Sequence, residues 1–218
     1  MQEWLIWHAW RACVLGTVPW VRIPPSPPGR FEKISSKKRA VLTGIFILIA
    51  YGVLASIFTQ SKIIVMLADS VSGAAVIGIA LLIFPLLKDT AKKLTISYLS
   101  LKILEGGLMI AGGLFFLVDS LQYIRDWVYN GIHLYSFIIS GFIFYYLLYK
   151  SLLVPGFISV WGMIAVLLMF VTTILKIMGI SNSVLDSMLL LIVTNEVFLA
   201  VWLIVKGFNG NVNKQSPA

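Results

Sequence analysis

Apolar residues in this chain come in runs of about twenty, broken by short polar or basic patches, and they do not alternate with polar ones. A hydrocarbon layer about 30 Å thick needs about 20 helical residues to cross, at about 1.5 Å of rise each. Six runs meet that length: 40–58, 63–87, 94–118, 131–149, 157–175 and 184–205. Transmembrane strands would show segments of about ten residues with alternating polarity, and these runs are apolar on every face. The pattern predicts an all-α, polytopic membrane protein, a bundle of six transmembrane helices within 36–208, followed by a polar tail over 209–218.

Lys and Arg are retained on the cytoplasmic side of short loops. With the amino terminus inside, that side carries Lys33, Lys37, Lys38, Arg39, Lys88, Lys92, Lys93, Lys150, Lys206 and Lys214, against Lys62, Arg125 and Lys176 outside. Ten against three places both termini in the cytoplasm, and an even number of crossings agrees. Short connections make sequential helices antiparallel neighbours. The longest, 119–130, carries Leu121, Ile124, Trp127 and Val128 at helical spacing. It reads as a cap in the outer headgroup layer or as a lid over a site.

Composition changes the picture only by closing alternatives. Of the 218 residues 59% are apolar and 12% charged, with a mean hydropathy of +0.94, about half the charge a water-facing surface carries. The net charge of +8 sits in clusters beside apolar runs, where anionic headgroups would meet it, and forms no aromatic-interleaved stripe for nucleic acid. Cys13 is the single cysteine, and His8 and His133 are the two histidines, so neither an internal disulfide nor a Cys/His metal spacing exists. No nucleophile elbow, zincin motif or phosphate loop is present, and no cofactor is called for.

The segment 1–35 does not share the pattern. Trp4, Trp7, Trp10 and Trp20 precede Pro24, Pro25, Ser26, Pro27 and Pro28, and Glu3, His8 and Arg11 interrupt any signal-peptide core. The proline run reads as a stiff linker or a docking peptide. Trp20-Val21-Arg22-Ile23-Pro24 can also be encoded by TGG GTT CGA ATC CCC, whose GGTTCGAATCC resembles the T-arm of bacterial transfer-RNA genes. The expectation is a non-core extension arising from a mis-assigned start codon.

Small residues mark close packing. Ser70, Ala74 and Gly78 form a row at four-residue spacing in the second run, and Gly106, Gly107, Gly112 and Gly113 thin the third. Contact within the bundle and homodimerisation both fit.

Four ionisable groups stand at membrane depth: Asp69, Lys102, Glu105 and Glu196. Each charge at a helix centre costs about 3 kcal/mol on insertion scales, so each should face protein or water. Lys102 and Glu105 are three apart and share a helix face. Glu105 and Glu196 both fall near the middle of their runs. Two acids and one base at that depth require either a protonated carboxylate or a further donor, and Tyr98, on the face that leads to Lys102 and Glu105, is the candidate hydroxyl. Asp69 lies nearer the outer end of its run and is reachable by water. Two readings stay open. One is a polar knot that fixes helix packing, as expected of a non-catalytic partner subunit or regulator. The other is a proton relay or small-solute site at the midplane, where transporters place them. His133 reads as an interfacial residue or a proton sensor.

Four stretches carry a resemblance: 36–53, 77–113, 145–164 and 195–208. The strongest pieces are Tyr149-Lys150-Ser151 with Val154-Pro155, and the closing Trp202 to Phe208. Together they resemble the bacterial membrane-protein family called domain of unknown function 4386. The resemblance implies a six-span protein of a bacterial inner (plasma) membrane beginning at the basic cluster before the first span, and it supplies no activity. Lys102 and Glu105 match the family's basic-x-x-Glu pattern, with Lys in place of Arg, and Glu196 matches its last-span Glu. The chain departs in having Gly156 where Arg usually follows the proline, and in lacking the proline that usually opens the last-span motif.

Overall fold

The structure is a computed structural model, and it describes residues 35–209 apart from Gln60 and Ser181. The segment 1–34, with its tryptophans and prolines, lies outside the described residues, as does most of the polar tail.

Helix α1 (Ser36–Ala50) opens on Ser35, whose hydroxyl accepts from the Lys38 amide, satisfying one of the unpaired amides at a helix start. It does not run straight through the predicted first span. It tightens into a 3-10 turn (Tyr51–Leu54) and ends in a single α turn, α2 (Ala55–Phe58). Then come α3 (Lys62–Leu87) and α4 (Lys92–Phe116). A 3-10 turn (Asp119–Leu121), α5 (Gln122–Val128) and a π turn (Tyr129–His133) lead across a kink at Gly131 into α6 (Leu134–Ser151). Helices α7 (Gly156–Ile177), α8 (Ser183–Met188) and α9 (Leu190–Val205) complete the order. The described residues contain no strand.

Among the described residues five helical stretches are long and apolar enough to cross a membrane: Lys62–Leu87, Lys92–Phe116, Asp119–Ser151, Gly156–Ile177 and Ser183–Val205. The expected first span is not among them because its α-helix ends after 15 residues, about 22 Å at 1.5 Å per residue. The longest connection is itself helical. It is the first part of a 33-residue stretch, bent at Gly131 (φ −107°, ψ −106°).

The long helices pack in chain order as a ring, α1 on α3, α3 on α4, α4 on α6, α6 on α7 and α7 on α9, and α9 closes it against α1. Leu67, Val71, Leu81, Ile164, Leu167 and Val201 point outward, each 48–55% exposed. Such an apolar exterior would aggregate in water and is stable in lipid.

Contact between α3 and α4 rests on missing side chains. A Cβ on Gly106 would lie 2.5 Å from the Gly73 carbonyl oxygen, and one on Gly113 would lie 2.9 Å from Asp69 Cβ. The partner row is therefore Gly73 with its neighbours, since Ala74 faces outward, while Gly78 instead admits the Phe46 ring of α1. Gly107 meets nothing within 4 Å. At the other end, Leu152 takes a left-handed conformation (φ 54°) to end α6. Asn209 donates from its backbone to the Leu153 carbonyl and from its side chain to the Leu152 carbonyl, each at 2.9 Å. The two motif segments singled out in the sequence thus meet in space.

Candidate functional site

Helix α4 delivers Lys102 and Glu105 to the interior of the ring. The i, i+3 spacing puts both on one face, and the Lys102 ammonium meets both Glu105 oxygens at 3.0 Å. Glu105 is 2% exposed. Its Oε2 also accepts from the Ser140 hydroxyl of α6 at 3.0 Å, and Lys102 lies 5.1 Å from the centre of the Phe137 ring. Two charges are thus held in a buried interior because each has a partner of opposite sign.

Glu196 comes from α9. Among the described residues it makes no ion pair, and its Oε2 accepts from the Tyr51 hydroxyl at 2.8 Å. The further donor expected for the second acid is therefore Tyr51, in the 3-10 turn that interrupts the first span. Tyr98 does not fill that role: it is 1% exposed, and its hydroxyl has no hydrogen-bond partner among the described residues. Its ring stacks on Phe144 instead, with centroids 5.4 Å apart. The fully buried Tyr145 hydroxyl is likewise unpartnered.

Two cavities adjoin these groups. The smaller, about 60 Å³, is lined by Tyr98, Lys102, Glu105 and Glu196 among apolar neighbours, and is roomy enough for water. The larger, about 270 Å³, has Glu105, Glu196, Tyr51 and His133 in a wall otherwise made of residues such as Met109 and Met169. Glu105 and Glu196 belong to the walls of both. The larger chamber reaches from Glu196 to Leu189 at the start of α9, about 10 Å along the helix axis. His133 lines it with Nε2 unpartnered, so the residue read as interfacial faces the interior.

Asp69 stands apart from this group. It packs beside Gly113, eight residues and about 12 Å along α4 from Glu105. Asp69 Oδ2 accepts from Arg125 Nη2 at 3.0 Å and from Nε at 3.3 Å. The guanidinium is held between the rings of Phe116 and Tyr129, 4.9 and 4.7 Å from their centres. Arg125 and Val128 are the buried residues of α5, whereas Trp127 is exposed. Position 125 follows Leu121 by four and precedes Val128 by three, a same-face spacing that marks it as inward. The five candidates thus fall into two sites: Lys102, Glu105 and Glu196 with Tyr98 beside the cavities, and Asp69 closed off by Arg125. Tyr51, Ser140 and Arg125 complete them.

Among the described residues no group of His, Cys, Asp or Glu is placed to hold a metal ion. Comparisons with curated proteins and with solved structures returned no match. The model of the family described as Domain of unknown function (DUF4386) matches residues 116–207 of this chain, from the end of α4 to the end of α9, and the resemblance read from the sequence holds over that stretch.

Proposed function

We propose that this chain is a multi-pass integral membrane protein of a bacterial inner (plasma) membrane whose ring interior holds a proton or small-solute site at mid-depth. In this reading α1, the 3-10 turn and α2 together form a broken first crossing. The chain then crosses six times and leaves both ends in the cytoplasm. The basic flanks support that orientation, and they support it more cleanly once Arg125 is paired with Asp69 and no longer counts as a loop cation.

The observation that carries the site is that Glu105 and Glu196, from helices distant in sequence, share the walls of two cavities. A purely structural knot would pair each of its charges, as Asp69 and Arg125 are paired, whereas Glu196 has no ion pair among the described residues and accepts from the Tyr51 hydroxyl. Interrupted helices beside mid-depth polar groups also characterise transporter sites, and Tyr51 lies in such an interruption. The test is proton flux into proteoliposomes under an imposed pH gradient, read with an entrapped dye. Wild type should conduct above empty liposomes, and Glu105→Gln and Glu196→Gln should abolish the excess. A leak equal to empty liposomes in all three would overturn the proton form of the site.

The alternative is a non-catalytic partner subunit or regulator whose polar residues only set packing. The buried Asp69–Arg125 ion pair favours it, and copurification of a stoichiometric membrane partner would support it.

A further inference from the structure

The cluster in the ring centre is unbalanced in charge. Lys102 is committed to Glu105 through both carboxylate oxygens, and among the described residues the hydrogen-bond partner of Glu196 is the Tyr51 hydroxyl. With both acids ionised the group carries one net negative charge, and leaving that uncompensated at mid-depth is costly. A positive charge arriving from outside would complete it.

The chamber says what else the cation carries. Besides Glu105, Glu196, Tyr51 and His133 its wall is hydrocarbon and thioether, including Leu134, Met109, Met169 and Ile192. An alkali-metal ion or a hydrated divalent cation needs several oxygens, and this wall offers few. A volume of about 270 Å³, set against the cavity of about 150 Å³ that takes benzene, suits a molecule of about a dozen non-hydrogen atoms. Ligand sites of this kind are mostly apolar, with a few polar groups that fix orientation.

We propose that the chamber binds a small lipophilic organic monocation, an amine or quaternary ammonium, with its charge at Glu196 and its apolar body among Met109, Leu134, Met169 and Ile192. This rests on the mid-depth site proposed above and names its ligand class. Tyr51 positions the Glu196 carboxylate. Met169 and Met109 supply adaptable thioethers that suit ligands of varied shape.

The test is equilibrium dialysis of radiolabelled benzyltrimethylammonium, about 11 non-hydrogen atoms, against the full chain in lipid nanodiscs, with empty nanodiscs subtracted. Saturable binding is expected in wild type, weakened about tenfold or more in Glu196→Gln, because a buried charge pair is worth at least the equivalent free energy. A variant that keeps the carboxylate is the second arm: Val193→Phe, which fills the chamber, should weaken binding as well. Binding that survives unchanged in Glu196→Gln overturns the proposal, as does its absence in wild type. Absence of binding beside Glu196-dependent proton flux would remove the organic cation and leave the site, whereas absence of both would remove both.

Discussion

A buried charge is tolerable only with a partner, and each ionisable group in the interior of this ring shows which partner it found. Lys102 and Glu105 were legible as a pair because i, i+3 spacing on a helix is fixed by geometry. Spacing says nothing of what stands across the bundle, so Tyr98 was the wrong hydroxyl and Tyr51 and Ser140 went unread. Arg125 was hidden by its position in a connection, although its register with Leu121 and Val128 marks it as inward. Glu105→Gln would leave the Lys102 ammonium buried without its acid. It should lower stability by about 3 kcal/mol, and adding Lys102→Met should recover most of the loss, measured by unfolding in mixed detergent micelles. Arg125→Met alone should cost a similar amount, about 3 kcal/mol, and the Asp69→Asn/Arg125→Met pair should cost less than the sum of the two single changes.

At the scale of elements, run length located three of the long helices to within two residues at each end, since lipid fixes how much apolar helix is needed. The predicted 63–87 is observed as Lys62–Leu87, and 157–175 as Gly156–Ile177. Breaks were not legible. The 3-10 turn at Tyr51–Leu54 carries no proline, and its one local sign is Gly52, where a Cβ would come 2.9 Å from the Ser72 hydroxyl of α3. Small residues showed that close contact exists but not its face, because Gly73 and Ala74 are adjacent and point apart. Gly106→Ala would push a methyl to 2.5 Å from the Gly73 carbonyl oxygen and 2.6 Å from Ile77 Cγ1, and should cost about 1–3 kcal/mol by overpacking. Gly107→Ala meets nothing within 4 Å and should be neutral or stabilise by up to about 1 kcal/mol through helix propensity. Thermal midpoints of the two variants, side by side in one detergent, read the difference.

At the scale of the whole molecule, contact of α9 with α1 turns a row of antiparallel neighbours into a closed ring, and closure gives the polar groups an interior away from lipid. Chain order and short connections made the neighbours legible, while closure depends on shape complementarity such as that of Gly44, whose Cβ position lies 2.6 Å from the Ala200 carbonyl oxygen. The chamber beside Glu196 follows from closure and from the break at Tyr51, neither of which a hydropathy pattern encodes. Its contact with water is read most directly by thiol accessibility. In a Cys13→Ser background, Val193→Cys should react with a membrane-impermeant maleimide added to the face where α9 begins, as should the exposed Tyr123→Cys on α5, and not when the reagent is confined to the Lys206 face. Labelling of Tyr123→Cys with Val193→Cys inert from both faces would contradict a chamber open to solute.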